Sequence, residues 1–350
     1  MQSIFYRTAM YRSIAALLLV FGLYASAGGQ VLGGRNTFAF LDLPASPQLT
    51  ALGNVNVSQQ TSDITLSLLN PALLRPDMHS QLAASYAAYF GDVKYGHAMS
   101  GYYAKKLQTT FSASLQYLNY GTLPQTDATG TIQGNFNARD LHAQLSAARQ
   151  YLERWHYGIS LHFVSSRYGA YAASGLLADV GITYQDTIHG LQVGIVARNM
   201  GGQLHTYAPG QEEPLPFDLQ VGVSKQLAHV PLQLSATLHH VYQFDVRYDD
   251  PGDAVADTAK KGSHVADKLF RHAVLAVQWK IAHYVELTGA YNYLRRQELA
   301  QTDAKGASGL SMGVAVVTRK IQLRYARSYY QRSAAFNHLG INIPLQEWMH

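Results

Sequence analysis

The stretch Thr110–Tyr117, Thr-Phe-Ser-Ala-Ser-Leu-Gln-Tyr, alternates between polar and apolar side chains at every step. Successive side chains of a β-strand point to opposite faces of its sheet, so this period of two predicts a strand with one polar and one apolar face. The same alternation continues from about Ser80 to the C-terminus, in pieces of roughly ten residues, which is the length that a tilted membrane strand needs. No apolar run among these pieces is long enough for a membrane-spanning helix.

The alternating pieces predict fourteen strands. Their ranges are 80–90, 95–104, 109–119, 138–149, 155–165, 176–185, 191–199, 217–227, 231–241, 270–281, 284–293, 309–318, 320–328 and 336–345. An even set of antiparallel strands can close without an unpaired edge, with its apolar face toward lipid and its polar face toward a lumen. A soluble β-sandwich also alternates, but soluble strands average only about five or six residues.

The connections between these predicted strands alternate in length. Turns such as 104–108, 150–154 and Ala282-His283 are short. The long connections are 120–137, 199–216, 242–269 and 294–308. Outer-membrane barrels have tight periplasmic turns and longer surface loops. The sequence therefore predicts an all-β fold, a transmembrane antiparallel β-barrel of about 14 strands in the bacterial outer membrane. One connection on the loop side, 91–94, is short and departs from this pattern.

The N-terminus has the features of a segment removed on export. Arg7 and Arg12 precede the apolar run Ile14–Tyr24, and Ala25-Ser26-Ala27 forms an A-x-A cleavage site. This order predicts a signal peptide over residues 1–27. The alternative is a membrane anchor, but an apolar run of about eleven residues is too short to cross a bilayer comfortably.

Composition excludes several classes of protein. The chain of 350 residues contains no cysteine, which excludes a lipid-anchored lipoprotein and a disulfide framework. The formal charge is +5, but the basic residues are scattered, as at Lys105-Lys106 and Arg319-Lys320. Scattered charge indicates solvated turns and no nucleic-acid partner. The 24 tyrosines and the low charged fraction of 14% fit aromatic rings at the headgroup level of membrane lipid.

Residues 28–79 differ from the barrel predicted over residues 80–350. They are rich in Gly, Pro, Ser and Asn and show no sustained alternation. Asn70 and Pro71 suit the cap and first position of a short helix. We expect this segment, called the hatch below, to plug the lumen or lie at its periplasmic mouth. A free tail is the alternative, which the apolar residues Phe38, Phe40 and Leu41 disfavour.

Two motifs in the hatch resemble a known family. Leu43–Gly53 reads Leu-Pro-Ala-Ser-Pro-Gln-Leu-Thr-Ala-Leu-Gly, and Asp63 and Asn70-Pro71-Ala72-Leu73-Leu74 follow it. They resemble the opening of the PorV/PorQ group of FadL-like outer-membrane β-barrels, and the upstream run Gly34–Leu41 looks most like PorQ. Gln48 stands where the group usually has arginine. The matching positions, expected to be structural, are Ala51, Leu52, Gly53, Asn70, Pro71, Ala72 and Leu73.

The resemblance implies a fourteen-stranded barrel with an N-terminal hatch. It also implies a component of the type IX secretion system attachment complex, which anchors a PorZ-like surface protein beside PorU-like and PorV-like components. The similarity to FadL-like barrels leaves a second function open, a channel for hydrophobic solutes.

These two functions predict different surfaces. An anchor predicts a blocked lumen and an exposed apolar patch on the loops, for which Phe136, Tyr207, Leu215 and Pro216 are candidates. A channel predicts an apolar pocket beneath the loops and a gap in the wall or hatch. The residues leave both open, and the resemblance favours the anchor.

The fifteen histidines offer two groupings that could bind a metal ion, His239-His240 and His156 with Ser160 and His162. Adjacent residues of a strand point to opposite faces, so His239 and His240 are not expected to share an ion. Neither group has a carboxylate or a cysteine at ligand spacing. We therefore expect no metal site and no cofactor, and assign the histidines to polar lumen or interface positions.

No pattern in the chain predicts an enzyme. Ser112, Ser114 and Ser160 lie on the polar phase of their strands and should face the lumen, away from any lipid substrate. Asp249-Asp250 and Asp253 suit a turn in the longest loop. The strand glycines, Gly158, Gly181, Gly194, Gly222 and Gly313, are expected to ease curvature or make room for the hatch.

Overall fold

The computed structural model describes residues 36–59, 61–246, 264–282, 284–299, 306–330 and 335–348, so the predicted signal peptide lies outside the described residues. Fourteen antiparallel strands close into one barrel, as the alternation predicts. They are β1 (Gln81–Ala88), β2 (Lys94–Ala104), β3 (Thr109–Thr126), β4 (Ile132–Tyr151), β5 (Trp155–Tyr168), β6 (Tyr171–Asp186), β7 (Leu191–His205), β8 (Asp218–Gln226), β9 (Leu232–Leu238), β10 (Ala273–Ala282), β11 (Val285–Asn292), β12 (Leu310–Val317), β13 (Gln322–Tyr329) and β14 (Ala335–Pro344). Each strand pairs with the next, and β1 closes on β14.

Short helices lie outside the wall strands. The hatch contains α1 (Pro47–Ala51) and the 3-10 turns Ala39–Asp42, Ile64–Leu68, Pro71–Leu73 and Pro76–Met78. The loops contain α2 (His264–Arg271) and α3 (Tyr293–Leu299), and a 3-10 turn, Leu345–Trp348, follows β14. Within the described ranges, every helix is too short or too polar to cross a membrane.

The two faces of the wall have the predicted polarity. On β3 the side chains of Thr110, Ser112, Ser114 and Gln116 are buried, whereas Phe111 and its outward neighbours are exposed. The outward face carries large apolar side chains on strands all round the barrel: Leu82, Leu115, Leu145, Ile159, Leu161, Ile182, Ile195, Leu234, Leu275, Val316, Leu323 and Leu339. A continuous apolar surface of this kind is stable against lipid rather than water.

Aromatic side chains mark one border of this apolar surface. At the end where the short turns lie, the exposed aromatic side chains include Tyr102, Tyr151, Trp155, Tyr157, Trp279 and Tyr284. Tyr151 and Trp155 are register partners across the β4–β5 turn. Amphipathic rings prefer the headgroup level of a bilayer, so this end, called the turn end, sits at a membrane interface. The opposite end is called the loop end.

Several predicted loops are strands in the structure. The expected loop 120–137 is a hairpin, because β3 and β4 stay paired up to Thr126 and Ile132. The β5 and β6 strands likewise meet at Tyr168 and Tyr171, and β7 continues to His205. The prediction was wrong here because both faces of these extensions are polar or exposed, which removes the period-two signal.

The tip of the long β3–β4 hairpin is held by one carboxylate. Asp127 accepts hydrogen bonds from the hydroxyl of Thr129, 2.6 Å, and from the amides of Thr129 and Thr131. The Thr129 hydroxyl, followed by the Thr131 amide, lowers the pKa of the Asp127 carboxyl below its usual value. The strand extension therefore ends in an ordered turn that projects at the loop end.

Candidate functional site in the barrel lumen

The hatch lies inside the barrel, one of the two placements expected from the sequence. It forms hydrogen bonds with inward side chains around the circumference of the wall, on β1, β6, β8, β9, β10, β11 and β14. The bonds are Ile64 N to Gln81 (3.0 Å), Thr183 to Ala72 O (3.1 Å), Ser58 with Ser224 (2.8 Å), Asn56 to Ser235 (2.9 Å), Gln59 to Gln278 (2.6 Å), Asn292 to Gly53 O (3.3 Å), Thr50 with His338 (3.0 Å) and Asn342 to Asp63 (2.7 Å). In this structure the hatch therefore fills the lumen.

Strand glycines leave the space that the hatch occupies. A Cβ atom at Gly158 would lie 2.6 Å from the carbonyl carbon of Pro71. Added at Gly194, it would lie 2.1 Å from the carbonyl oxygen of Val57, and at Gly313 2.6 Å from the Cβ of Ala51. Real Cβ atoms do not approach other atoms this closely. The structure therefore supports the second of the two expected roles of these glycines, room for the hatch.

The family-motif residues form contacts within the hatch and with the wall. Ala51 ends α1, Leu52 is fully buried, and Gly53 has φ of 80°, in the left-handed region that favours glycine. Asn70 caps the Pro71–Leu73 turn, as predicted, by accepting from the Ala72 amide at 3.0 Å. The Asn70 amide also donates to the carbonyl of Val57 at 2.9 Å. The motif therefore holds two parts of the hatch together.

Replacing Asn70 with alanine is expected to lower the free energy of unfolding by about 2–4 kcal/mol, because each buried group that loses its partner costs about 1–3 kcal/mol. Urea unfolding in detergent micelles measures this change. Asn135→Ala is the matched control, since Asn135 is exposed on the β3–β4 hairpin and should change stability by less than about 0.5 kcal/mol. Equal losses in both variants would show that Asn70 does not organise the hatch.

A buried charge centre joins the hatch to the wall. Arg324 of β13 lies 2.9 Å from a carboxylate oxygen of Asp63 in the hatch and 3.2 Å from Glu286 of β11. The Arg324 guanidinium also donates to the side-chain oxygen of Gln48 at 2.7 Å. Gln48 stands where the family resemblance has arginine, and here the guanidinium comes from the wall instead. Opposite charges and hydrogen bonds of this kind are needed to bury an ion pair.

Apolar side chains gather at the loop end of the lumen. This loop-end apolar cluster consists of Phe38, Phe40 and Leu41 from the hatch and Tyr95, Leu118 and Phe336 from the wall, each no more than 6% exposed. Tyr89, in the loop before β2, packs its ring 4.4 Å from that of Phe336. The part of the hatch at the loop end is thus apolar, and the rest of the hatch is polar and hydrogen-bonded to the wall.

The four predicted partner contacts do not form one exposed patch. Pro216 is buried, and its carbonyl accepts from the Asn199 side chain at 2.7 Å. Tyr207 and Leu215 are half-buried against the hydrophobic core that includes the loop-end apolar cluster. Phe136 lines a separate, outward-facing cavity of about 610 Å³ on the β3–β5 side. Their role as partner contacts stays a prediction.

The histidines of the second grouping lie buried on the inward face, and His162 has partners on both neighbouring strands. His162 of β5 contacts His142 of β4 at 2.8 Å and a carboxylate oxygen of Asp179 on β6 at 3.1 Å. Arg198 of β7 lies 3.9 Å from the same carboxylate. His156 is also buried on the inward face. Asp179 could not be identified from the sequence, because this residue becomes adjacent to His162 only through the register of β5 and β6.

The pair His239-His240 differs from the expectation. His240 lies beyond the end of β9 and has φ of 52°, so the alternation of a strand does not apply to it. Both imidazoles lie near Asp218, the first residue of β8. The premise that these adjacent histidines point to opposite faces of one strand is therefore wrong, whereas their sharing of an ion stays untested by the geometry alone.

The residues considered for catalysis are dispersed. Ser112, Ser114 and Ser160 are buried on the inward face, as predicted. Asp249, Asp250 and Asp253 lie outside the described residues. Ser160 contacts Ser146 and Gln144, at 2.8 and 3.1 Å, rather than a histidine.

Comparisons with known proteins bear on the fold. No protein-family model matches the chain. No curated protein matches it either. Among solved structures, the TodX monoaromatic hydrocarbon channel (deltaS2 mutant) is similar with a TM-score of 0.50 and 16% identity, covering 87% of this chain and 98% of that one. The CymD monoaromatic hydrocarbon channel is similar with a TM-score of 0.51 and 14% identity, covering 86% and 97%. The chain therefore shares the fold of these channels over most of its length.

Proposed function

We propose that this protein is an outer-membrane channel for small hydrophobic molecules. The observation that carries the proposal is the loop-end apolar cluster, which places buried apolar side chains at the surface end of an otherwise hydrogen-bonded lumen. Since the hatch supplies Phe38, Phe40 and Leu41, its displacement would uncover Tyr95 and its wall neighbours to an entering apolar molecule. Binding sites for such molecules are lined mainly by hydrophobic and aromatic side chains.

The fold supports this proposal over an anchoring role. TodX and CymD, which share the fold, are described as channels for monoaromatic hydrocarbons. The outward apolar surface fits an outer-membrane location, with export by the proposed signal peptide. The proposal assigns transport and no catalysis to the chain.

A second candidate function is supported by the filled lumen. The hatch is hydrogen-bonded to the wall on strands all round the barrel. A barrel that only anchors a partner passes no solute, so it can keep its lumen filled in this way. Under this second proposal the barrel is a PorQ-like component of the type IX secretion system attachment complex. Its loops would hold a PorZ-like surface protein beside PorU-like and PorV-like components. The motifs at Ala51-Leu52-Gly53 and Asn70-Pro71-Ala72 support this candidate.

Uptake of radiolabelled toluene into proteoliposomes tests the channel directly. We expect uptake faster than in protein-free vesicles of the same lipid. Because toluene crosses lipid unaided, the vesicles carry an outer leaflet of lipopolysaccharide, whose ordered sugars slow that leak. Equal uptake rates with and without protein would overturn the proposal that the barrel is a channel. Recovery of a surface protein with the barrel from native membranes would then favour attachment.

A disulfide between hatch and wall tests whether the hatch must move. The hydroxyl oxygens of Ser58 and Ser224 lie 2.8 Å apart, so two cysteine sulfurs at these positions need only a small shift to reach the S–S bond length of about 2.0 Å. The chain has no native cysteine that could mispair with them. Ser58→Cys/Ser224→Cys is expected to lower uptake to the protein-free rate when oxidised and to recover on reduction. Ser146→Cys/Ser160→Cys, also 2.8 Å apart, joins two wall strands and is the control. Unchanged uptake in the oxidised hatch variant would contradict hatch displacement but leave the channel itself standing.

A further inference from the structure

Three side chains with metal-binding atoms converge at the loop end, on the lumen side of β8 and β9. Asp218, His239 and His240 each offer one ligand atom, and these atoms all lie within 4.8 Å of one another. The Nδ1 atom of His240 is 3.3 Å from an oxygen of Asp218. Tetrahedral zinc with ligand bonds of about 2.0–2.1 Å has ligands separated by about 3.3 Å, so one edge of the site already has this spacing.

The backbone brings the two histidines together. The β8–β9 ladder ends at Val221 and Leu238, so His239 and His240 follow the last paired residue of β9. With φ of 52° at His240, the chain turns instead of continuing the strand, and the two rings lie with centroids 4.7 Å apart. A non-glycine residue in this region is strained by about 1–3 kcal/mol, and such strain is concentrated at functional sites.

One imidazole of this group has a buried nitrogen without a partner in the described part of the chain. Among the described residues, Nε2 of His239 has no hydrogen-bond partner, while Nδ1 of His240 faces only the Asp218 carboxylate at 3.3 Å. His239 is only 4% exposed, and its unpaired nitrogen is costly unless it has a ligand. An unpartnered buried imidazole beside a second one and a carboxylate is the arrangement that a divalent transition metal would satisfy.

The carboxylate of Asp218 is already oriented. One of its oxygens accepts from the His240 amide at 2.6 Å, and the other accepts from the Gln220 side chain at 2.7 Å. The oxygen that accepts from Gln220 has a second lone pair free for a metal ion. Outer contacts of this kind hold metal ligands in place and raise affinity. Asp42 in the hatch and Glu298 in α3 also interact electrostatically with His240.

We infer that Asp218, His239 and His240 form a binding site for a divalent transition-metal ion, with Zn²⁺ as the expected occupant. Two imidazoles and one carboxylate are a common zinc ligand set that leaves the fourth position open to water or another ligand. The ion would join the start of β8 to the corner after β9 and thereby fix the loop end beside the hatch. This site is independent of the transport proposal.

Metal content of the untagged, purified barrel tests the inference. After treatment with EDTA and equilibrium dialysis against Zn²⁺, we expect one tightly bound ion per chain. Asp218→Asn and His239→Ala should each lower the affinity by at least about 100-fold, since loss of an outer contact alone lowers it 10–100-fold. Co²⁺ in place of Zn²⁺ should give the visible absorption of a tetrahedral site in the wild type and lose it in both variants.

A second His–Asp pair provides the matched control. His189 lies 2.8 Å from a carboxylate oxygen of Asp186 at an exposed turn, without a second imidazole. His189→Ala should therefore keep the bound ion and the Co²⁺ spectrum. Asp218→Asn keeps an oxygen that can accept from the His240 amide, so its folding, followed by circular dichroism, should be intact. No stoichiometric ion in the wild type, or equal binding in all variants, would overturn the inference.

Discussion

Replacing Arg324 with methionine is expected to lower the free energy of unfolding by about 3–5 kcal/mol, the loss that follows removal of one partner of a buried ion pair. Arg324 is 6% exposed and lies between Asp63, 1% exposed, and Glu286. The methionine fills a similar volume but leaves both carboxylates without their cation. Because Asp63 belongs to the hatch, the same change should weaken its attachment to the wall. Urea unfolding in micelles and protease cleavage of the hatch measure the two effects.

A second variant separates charge from packing. Arg324→Met/Asp63→Asn removes the charge of Arg324 and that of its more buried partner. It should recover part of the loss, because only Glu286, whose side chain is 15% exposed, then keeps a charge without its cation. Asparagine at position 63 can still accept from the Thr65 amide, which Asp63 does at 2.9 Å. Arg149→Met is the control, since Arg149 is exposed on β4. If the double variant were as unstable as the single one, lost packing and not charge would explain the effect.

Strand number and polarity could be predicted because they follow from local sequence. Thr110–Tyr117 alternates, and its polar residues are buried in the lumen as the period of two requires. The upper parts of β3 and β4 could not be predicted in this way. Above the lipid both faces meet water, so neither face needs to be apolar, and the pairing of Thr126 with Ile132 has no periodic signature.

The lumen contacts could be predicted only in part. The Asn70-Pro71 cap is local and was confirmed. The contact between Arg324 and Gln48 joins residues 276 positions apart, and the meeting of Asp218 with His240 depends on a single backbone angle outside a strand. Such contacts depend on the register between strands and on the closure of the barrel, and neither can be read from a single sequence.

The strand glycines are expected to determine whether the hatch stays in the lumen. A Cβ at Gly181 would lie 2.0 Å from Oδ1 of Asn70, and at Gly194 2.1 Å from the Val57 carbonyl oxygen. Asn70 cannot easily turn away, because it already bonds Val57 and Ala72. Overpacking of this kind costs about 1–3 kcal/mol, which would raise the population of displaced hatch by about 5–150-fold in Gly181→Ala or Gly194→Ala.

Ion conductance across planar bilayers measures this population, because a lumen without its hatch is open to water. We expect openings to become more frequent in Gly181→Ala and in Gly194→Ala than in the wild type. Gly96→Ala is the control, since a Cβ there, on the outward phase of β2, meets nothing within 4 Å. The inward substitutions add the same methyl group to the same kind of strand, so a difference from Gly96→Ala can come only from contact with the hatch. Equal conductance in all three would mean that the wall yields instead of the hatch, which would contradict hatch displacement as the route for transport.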